Sequence, residues 1–158
     1  FTNKETSNFL LERFNYLFNK SESSQSYFQP PLELHEIDYF DELSVNDIKI
    51  KTIKQNHGVT DTLGFIFNDV FAYCTDVVGF PEKSFKCLYN LNVLIITGLR
   101  QSPHTAHAHF DLSFKWIATL KPKVAYLTHL SPESDHDVVT KLCPPNTYPA
   151  YDGLILNI

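Results

Sequence analysis

The sequence predicts an α/β fold in which a meander of antiparallel strands precedes alternating strands and helices, with the helices outside. Residues 48–53 alternate apolar and polar side chains, which is typical of a strand with one buried face. Asn68-Asp69 separates two apolar runs and fits a two-residue hairpin turn, because both residues tolerate positive φ. Residues 93–96 are all apolar, as in a strand covered on both faces.

Residues 1–45 are expected to form a helix followed by a connecting segment. Apolar side chains at helical spacing predict a helix over residues 6–18, with Thr6 or Ser7 as its N-cap. Residues 21–26 are polar and show no periodicity, so we expect a loop there.

Residues 46–158 are expected to carry most of the sheet. Before them, residues 32–37 and 43–45 are expected to be extended, and Asn46-Asp47 is a turn signal. Pro81 fits the first position of a short helix. The remaining elements share apolar runs or helical spacing between turn residues. They are strands over residues 63–67, 70–74, 124–127 and 154–156, and helices over residues 81–88, 111–120 and 135–142.

The composition is that of a single globular domain, since 43% of the 158 residues are hydrophobic and 14% are aromatic. The formal charge of −5 argues against a nucleic-acid binder, although metal ions can supply the positive charge that one phosphodiester needs. Cys74, Cys87 and Cys143 are far apart, which favours reduced thiols in a cytoplasmic protein. No apolar run reaches the ~20 residues of a membrane span, and no signal peptide is visible.

Three metal-competent side chains, His57, Asp76 and His129, stand where a predicted strand ends and a loop begins. Strand ends on a rigid sheet hold ligands in fixed positions, which a dinuclear metal centre requires. Imidazole and carboxylate together suit divalent ions such as zinc, manganese or iron. Each residue also has a structural alternative: His57 as a loop histidine bonded to backbone, Asp76 as a helix cap, and His129 as a turn or helix cap.

A second group of histidines, His104, His107 and His109, precedes the helix predicted to begin near Asp111. In extended backbone His107 and His109 lie on the same side. By itself this group also fits a surface metal-binding loop. The chain would then be a metal-binding module and not a hydrolase.

In their order and setting these motifs resemble the later ligand motifs of the metallo-β-lactamase superfamily, and they are similar to its phosphoribosyl cyclic phosphodiesterase branch. The resemblance covers residues 46–158 well, and Leu11-Glu12-Arg13-Phe14-Asn15-Tyr16 resembles the segment after that family's first metal loop. The matching segments are Asn56-His57-Gly58, Leu63-Gly64-Phe65, Tyr73-Cys74-Thr75-Asp76-Val77, Leu99-Arg100, Pro103-His104, His109-Phe110-Asp111-Leu112-Ser113, Leu127-Thr128-His129-Leu130 and Ala150-Tyr151-Asp152-Gly153.

The resemblance implies that the chain is the C-terminal portion of a metallo-β-lactamase-type αββα sandwich. It implies that His57, Asp76 and His129 are ligands of two divalent metal ions, zinc or manganese, and that Asp76 bridges them. It also places Asp152 and Arg100 at the substrate. A turn before the last strand remains an equal reading of Asp152, and a surface salt bridge remains open for Arg100.

The resemblance further implies a catalytic histidine in a His-Phe-x-Leu-Ser context, which here matches His109. A histidine beside a dinuclear centre can protonate the leaving alkoxide, a general-acid task suited to a group that titrates near neutrality. The loop before the helix is longer than the family's pattern, so His107 competes for this role.

One departure from the family is that its His-x-His-x-Asp-His loop is absent from the sequence. In the family that loop lies just upstream of the segment with which this chain begins, and the chain begins at Phe1 and not at a Met. We therefore expect the C-terminal part of a longer protein, inactive alone and with weak or partial metal binding. A half-sandwich with an open inner face would favour a homodimer or other self-association.

The predicted function of the parent protein is metal-dependent hydrolysis of a small phosphodiester, including cyclic ones. A ribonuclease Z-like or other metallo-β-lactamase-fold hydrolase is the enzyme alternative, and the acidic charge weakens the ribonuclease reading. The non-enzyme alternative is a catalytically inactive half-domain or interaction module. We expect a small-molecule partner, and neither a membrane nor a nucleic acid.

Overall fold

A computed structural model describes residues 1–19 and 29–157, and the polar loop expected over residues 21–26 lies outside them. The chain divides into two compact units, Phe1–Asp41 and Glu42–Ile158. The second unit contains the sheet and every candidate site residue. Within the described residues, no helix has the length and apolar character that crossing a membrane requires.

The first unit begins with helix α1 (Lys4–Phe14), which a 3₁₀ turn at Asn15–Leu17 continues. Its N-cap is Asn3, whose side-chain oxygen accepts a hydrogen bond from the Thr6 backbone N–H at 2.9 Å. The prediction that Thr6 or Ser7 caps the helix is therefore wrong. Asparagine is among the strongest capping residues, and it lies upstream of both.

The segment expected to be extended over residues 32–37 lies beside the N-terminus of the chain. Glu36 and Thr2 form an isolated parallel bridge. The Thr2 N–H donates to the His35 carbonyl at 3.0 Å, and the Ile37 N–H donates to the Thr2 carbonyl at 2.9 Å. The first unit is thus closed by backbone hydrogen bonds between its two ends.

In the described part of the second unit, seven strands form one sheet in sequential order. The first four are antiparallel neighbours, and the last four are parallel. The strands are β1 (Glu42–Val45), β2 (Ile48–His57), β3 (Thr60–Phe67), β4 (Phe71–Cys74), β5 (Val93–Thr97), β6 (Val124–Thr128) and β7 (Thr147–Pro149). The helices between the parallel strands are α2 (Glu82–Lys86), α3 (Phe110–Leu120) and α4 (His136–Leu142).

The hairpin between β3 and β4 confirms the predicted turn. Asn68 and Asp69 have φ angles of 51° and 54°, and the Val70 N–H donates to the Phe67 carbonyl at 3.0 Å. Two consecutive residues with positive φ define the turn type whose twist matches that of paired strands. The Asn68 side chain also accepts the Lys49 N–H at 2.9 Å, which links the turn to β2.

The two faces of the parallel half differ. Because crossovers between parallel strands are right-handed and these strands are sequential, α2, α3 and α4 are expected on the same face of the sheet. The side chains on one face are fully buried: Ala72, Cys74, Leu94, Ile96, Ala125 and Leu127. On the other face, register pairing forms a continuous row across five strands: Phe65, Tyr73, Ile95, Tyr126 and Tyr148. This aromatic row includes rings that are 41% and 47% exposed, at Tyr73 and Tyr148.

The prediction of a final strand over residues 154–156 is wrong. The strand at this edge of the sheet is β7. The Ala150 N–H continues the pairing with β6 by donating to the Leu127 carbonyl at 2.8 Å. Gly153, with a φ of 87°, then lies in a turn in which the Leu154 N–H donates to the Tyr151 carbonyl at 3.1 Å. Apolar residues beyond this turn lie outside the sheet.

Candidate metal centre

The carboxyl ends of three strands meet at one edge of the sheet. Strand β3 is antiparallel to both β2 and β4, so β2 runs in the same direction as β4, and β5 and β6 are parallel to β4. His57 is the last residue of β2, Asp76 lies just after β4, and His129 directly follows β6. The topology therefore brings three side chains that are distant in sequence to one edge.

Three imidazoles surround one carboxylate oxygen of Asp76. Its Oδ1 lies 3.8 Å from His57 Nε2, 3.7 Å from His129 Nε2 and 3.7 Å from His107 Nδ1. The Nε2 atoms of His57 and His107 are 3.3 Å apart. The structure thus brings together the three predicted metal ligands and adds His107 to them.

His107 is the most enclosed histidine of this cluster, with a side-chain exposure of 16% against 26% for His57 and 40% for His129. Its ring centroid lies 4.6 Å from those of both His57 and His129. Within the described part of the chain its buried Nδ1 has no hydrogen-bond partner, because 3.7 Å from Asp76 Oδ1 is too long for a hydrogen bond. A buried nitrogen without a partner fits a site for a cation or a transferable proton.

His109 is the N-cap residue of α3. Its carbonyl accepts hydrogen bonds from the Ser113 N–H at 3.1 Å and the Ser113 Oγ at 3.2 Å. Among residues 1–19 and 29–157, its imidazole makes no hydrogen bond, ion pair or ring contact. The role of His109 as the general acid stays a prediction. The histidine of this loop that contacts His57, Asp76 and His129 is His107.

The pKa of His107 is lowered, first by burial and then by the neighbouring His129 and His57 rings, while Asp76 opposes the shift. The neutral imidazole is therefore the favoured form in the absence of other ions. Neutral imidazole and carboxylate are the ligand types that zinc and manganese accept, so the residues present fit a divalent ion.

Two polar residues of the β2–β3 hairpin hold the chain at Asp76. The Thr62 hydroxyl donates to the Asp76 carbonyl at 2.8 Å, and Gln55 Nε2 donates to the Thr75 carbonyl at 2.8 Å. Gln55 has no exposed surface, and it pairs with Thr62 across the hairpin. The sequence patterns did not identify Gln55 or Thr62 as site residues. The signal that could have found Gln55 is its uncharged amide in a strand that ends at a predicted ligand.

The loop that carries His107 is anchored on both sides. The Ala108 N–H donates to the Val77 carbonyl at 2.7 Å, and the Ala108 carbonyl accepts the Leu99 N–H at 2.9 Å. Gly58, next to His57, has a φ of 75°, and a Cβ there would lie only 3.2 Å from the Thr105 carbonyl oxygen. Glycine therefore permits the close approach of this loop to the end of β2.

The two residues predicted to bind substrate lie in different places. Asp152 lines a cavity of about 340 Å³ beside His129, together with Tyr151. Arg100 lines another cavity, of about 450 Å³, whose wall includes Glu133. The Arg100 guanidinium donates to the Pro103 carbonyl at 3.3 Å and lies 3.7 Å from Glu133, so it is not among the contacts of the histidine cluster.

Comparison with known proteins shows a family match. The model of the Beta-lactamase superfamily domain matches residues 1–130. No curated protein sequence matches the chain.

Solved structures also resemble the chain. A new diphosphatase from the PhnP family is 28% identical with a TM-score of 0.84, and the match covers 97% of this chain and 55% of that one. The metallo-β-lactamase-fold protein YhfI from Bacillus subtilis is 16% identical (TM-score 0.64; 91% and 60% covered). Zn²⁺-bound PqqB from Methylobacterium extorquens is 12% identical (TM-score 0.65; 80% and 56% covered). The chain thus spans little more than half the length of these structures.

Proposed function

The chain belongs to the metallo-β-lactamase superfamily, and from that premise we propose that it contributes half of the metal site of a hydrolase acting on small phosphodiesters. The observation that carries the proposal is the cluster at the sheet edge, where Asp76 Oδ1 lies within 3.8 Å of three imidazoles. The −5 charge of the chain favours a small substrate over RNA.

In this proposal His57, Asp76 and His129 hold divalent ions, and Asp76 can serve two of them because a carboxylate has two oxygens. Such ions, when bound, polarise a phosphoryl oxygen and lower the pKa of water. Catalytic sites use three or more protein ligands per ion, and His57, Asp76 and His129 alone supply fewer than two such sets. In this proposal the further ligands would come from a His-x-His-x-Asp-His segment, a motif that residues 1–158 do not contain.

In this proposal His107 acts in its protonated form and delivers that proton to the leaving oxygen, and its lowered pKa makes the protonated ring a stronger acid. Its ring touches those of His57 and His129, so a phosphoryl group held at the cluster lies within its reach. The anchored loop fixes the ring, which keeps the donor aligned with the departing oxygen. His109 remains the alternative donor suggested by the sequence motif.

The leaving group lies in the cavity next to His129. The Asp152 carboxylate can accept hydrogen bonds from sugar hydroxyls, and the exposed Tyr151 ring offers a flat surface for packing. This side of the cluster therefore suits a hydroxyl-bearing leaving group. Arg100 would contact a phosphate only after release from Glu133.

A second candidate is hydrolysis of a diphosphate. It is favoured by the 28% identity to a structure described as a diphosphatase from the PhnP family. Both reactions place charge on a phosphoryl group beside the Asp76 carboxylate. They differ in the leaving group, since an alkoxide needs a proton more than a phosphate does.

The test compares three variants of the full-length protein for metal content and turnover. Asp76→Ala should deplete metal. His107→Ala should keep the metal and lower turnover about 10²–10⁴-fold on a substrate that releases a sugar alkoxide, and far less on a nitrophenyl ester. His109→Ala is the matched control.

The outcomes separate the assignments. If His109→Ala gives the selective loss and His107→Ala does not, His109 is the donor. Equal metal loss in His107→Ala and His109→Ala would show that these variants act through the metal, and it would contradict a proton-donor role for either histidine. Preferential turnover of a diphosphate over cyclic and linear phosphodiesters would select the second function.

A further inference from the structure

His104 makes a local turn with the residues that follow it. Its Nδ1 accepts hydrogen bonds from the Ala106 N–H at 3.2 Å and from the His107 N–H at 3.3 Å. A side-chain acceptor that receives the amides two and three residues later is the arrangement in which Asn and Asp stabilise turns. Here an imidazole nitrogen takes the place of the carboxamide oxygen.

These hydrogen bonds determine the state of the His104 ring. Because Nδ1 accepts two N–H groups it cannot carry a proton, and a neutral imidazole must then carry its proton on Nε2. Neither nitrogen is then free to bind a metal ion, since Nδ1 is shared with the backbone and Nε2 is protonated. His104 therefore differs from His107, whose buried Nδ1 has no hydrogen-bond partner among the residues that the structure describes.

We propose that His104 is a positioning residue, which fixes the His107 ring at the metal cluster by capping the turn of residues 104–107. The proposal rests on the proposed function for its effect on rate, but its structural part stands independently. The His104 and His107 rings also lie 5.0 Å apart, so the ring itself supports His107.

The rest of the loop is held in place by contacts other than those of His104. On its C-terminal side, Ala108 is fully buried and bonded to Val77 and Leu99. On the side facing β2, Gly58 admits the loop at Thr105 and Ala106. Between these fixed points, the conformation of residues 104–107 decides where the His107 side chain lies.

Two substitutions separate the two possible contributions of His104. His104→Asn keeps an acceptor for the two amides and removes the ring, whereas His104→Phe keeps a ring and removes the acceptor. His104→Ala removes both. His104 is only half-buried, so we expect the sheet to stay folded in all three variants.

The first readout is independent of catalysis. Hydrogen exchange of the Ala106 and His107 amides in the 158-residue chain should accelerate about ten- to a hundredfold in His104→Ala and His104→Phe, and stay near wild type in His104→Asn. The ¹⁵N spectrum of the His104 imidazole in the wild type should show a proton on Nε2 and none on Nδ1.

The second readout is turnover of an alkoxide-releasing phosphodiester by the full-length protein. His104→Ala and His104→Phe should lower kcat by up to about 10²-fold with KM nearly unchanged, and His104→Asn should restore most of it. Protection of both amides in His104→Ala, rescue by Phe and not by Asn, or a proton on Nδ1 would overturn the proposal. Altered amide exchange in a protein without any phosphodiesterase activity would sustain the positioning role and overturn the proposed function instead.

Discussion

Left-handed backbone occurs at or beside each of the three strand ends that meet at the cluster around Asp76. Asp76 and His129 have φ angles of 55° and 62°, and Gly58, beside His57, has a φ of 75°. A non-glycine residue in this region costs energy and persists only where its surroundings enforce it. At Asp76 the enforcing contact is the hydrogen bond from Thr62 to its carbonyl. The chain therefore turns sharply at the ends of β2, β4 and β6, where His57, Asp76 and His129 lie.

Gly58→Ala should destabilise the protein more than Gly153→Ala. Both glycines have positive φ, at 75° and 87°, so each alanine adds about 1–2 kcal/mol of backbone strain. At Gly58 the new Cβ would also press on Thr105 and Ala106, whereas at Gly153 it would meet no atom of residues 1–19 and 29–157 within 4 Å. Urea denaturation of the two variants measures the difference. Equal losses would show that the loop does not press on Gly58.

Metal-free protein should lose stability in mild acid because of His107. The folded state lowers the pKa of this ring below its ordinary value of 6.5, so at pH below 6.5 the unfolded chain binds the proton more readily. Stability is therefore unaffected above this value and falls as pH decreases through and below it. Denaturation in a chelator should show this slope, reduced in His107→Asn. The exposed His136→Asn variant is the control, and an unchanged slope in His107→Asn would contradict the prediction.

At the scale of elements, the β2–β3 hairpin supports the strand end that carries Asp76. Gln55 and Thr62 face each other in register, and each donates to a carbonyl at the end of β4. Gly64 makes room for this arrangement, because a Cβ there would lie 2.5 Å from Gln55 Oε1. The hairpin thus contributes the predicted metal ligand His57 at its tip, and the contacts that hold the chain at the predicted ligand Asp76.

Thr62→Val should weaken metal binding with a modest loss of stability. Valine keeps the shape of the side chain but leaves the Asp76 carbonyl without its hydroxyl donor, which costs about 1 kcal/mol. Thr119→Val is the matched control, because it removes an equally short bond from a hydroxyl to the Lys115 carbonyl within α3. Zinc titration and denaturation of both variants check this. Unchanged zinc affinity in Thr62→Val would show that Asp76 does not depend on Thr62.

At the scale of the whole molecule, the second unit is a sheet with unlike faces. The side chains on one face of the sheet are fully buried. The other face carries the aromatic row. Exposed apolar patches of this kind mark association sites. Both features follow from a sequential strand order in which all the crossover helices lie on the same side.

The 158-residue chain should self-associate through the aromatic row. Tyr73 and Tyr148 expose 41% and 47% of their surface there, so Tyr73→Lys should introduce a charge into the contact and shift the chain toward monomer. Tyr89→Lys is the control, since this ring is similarly exposed at 43% and lies outside the row. Light scattering over a range of concentrations measures the effect. A strict monomer at high concentration would contradict the expectation.

Thiol reactivity reports on the integrity of the covered face. Cys74 has no exposed surface, and its burial raises the pKa of the thiol, so neither access nor ionisation favours alkylation. Cys87 should react first in the native protein, and Cys143 more slowly, because burial also raises the pKa of its thiol. Mass spectrometry after timed alkylation measures the order. Rapid labelling of Cys74 in native protein would show that this face opens.

Local patterns in the sequence determined most of the elements. Alternation over residues 48–53, the Asn68-Asp69 turn and the apolar run at 93–96 each depend on neighbouring residues, and all three are present in the sheet. The predicted ligands His57, Asp76 and His129 also converge, because each follows a strand and these strands run in the same direction. A strand end is a local feature, so the sequence is sufficient to find it.

Only the tertiary structure decided which histidine joins the cluster around Asp76, which apolar segment becomes the last strand, and which polar residues hold the site. His107 and His109 lie on the same side of an extended loop in the sequence, but bonds from Ala108 to Val77 and Leu99 place His107 in the cluster. Residues 154–156 are as apolar as a strand, yet β7 already occupies the edge of β6. These outcomes depend on hydrogen bonds and space between segments distant in sequence, which no local pattern of residues contains.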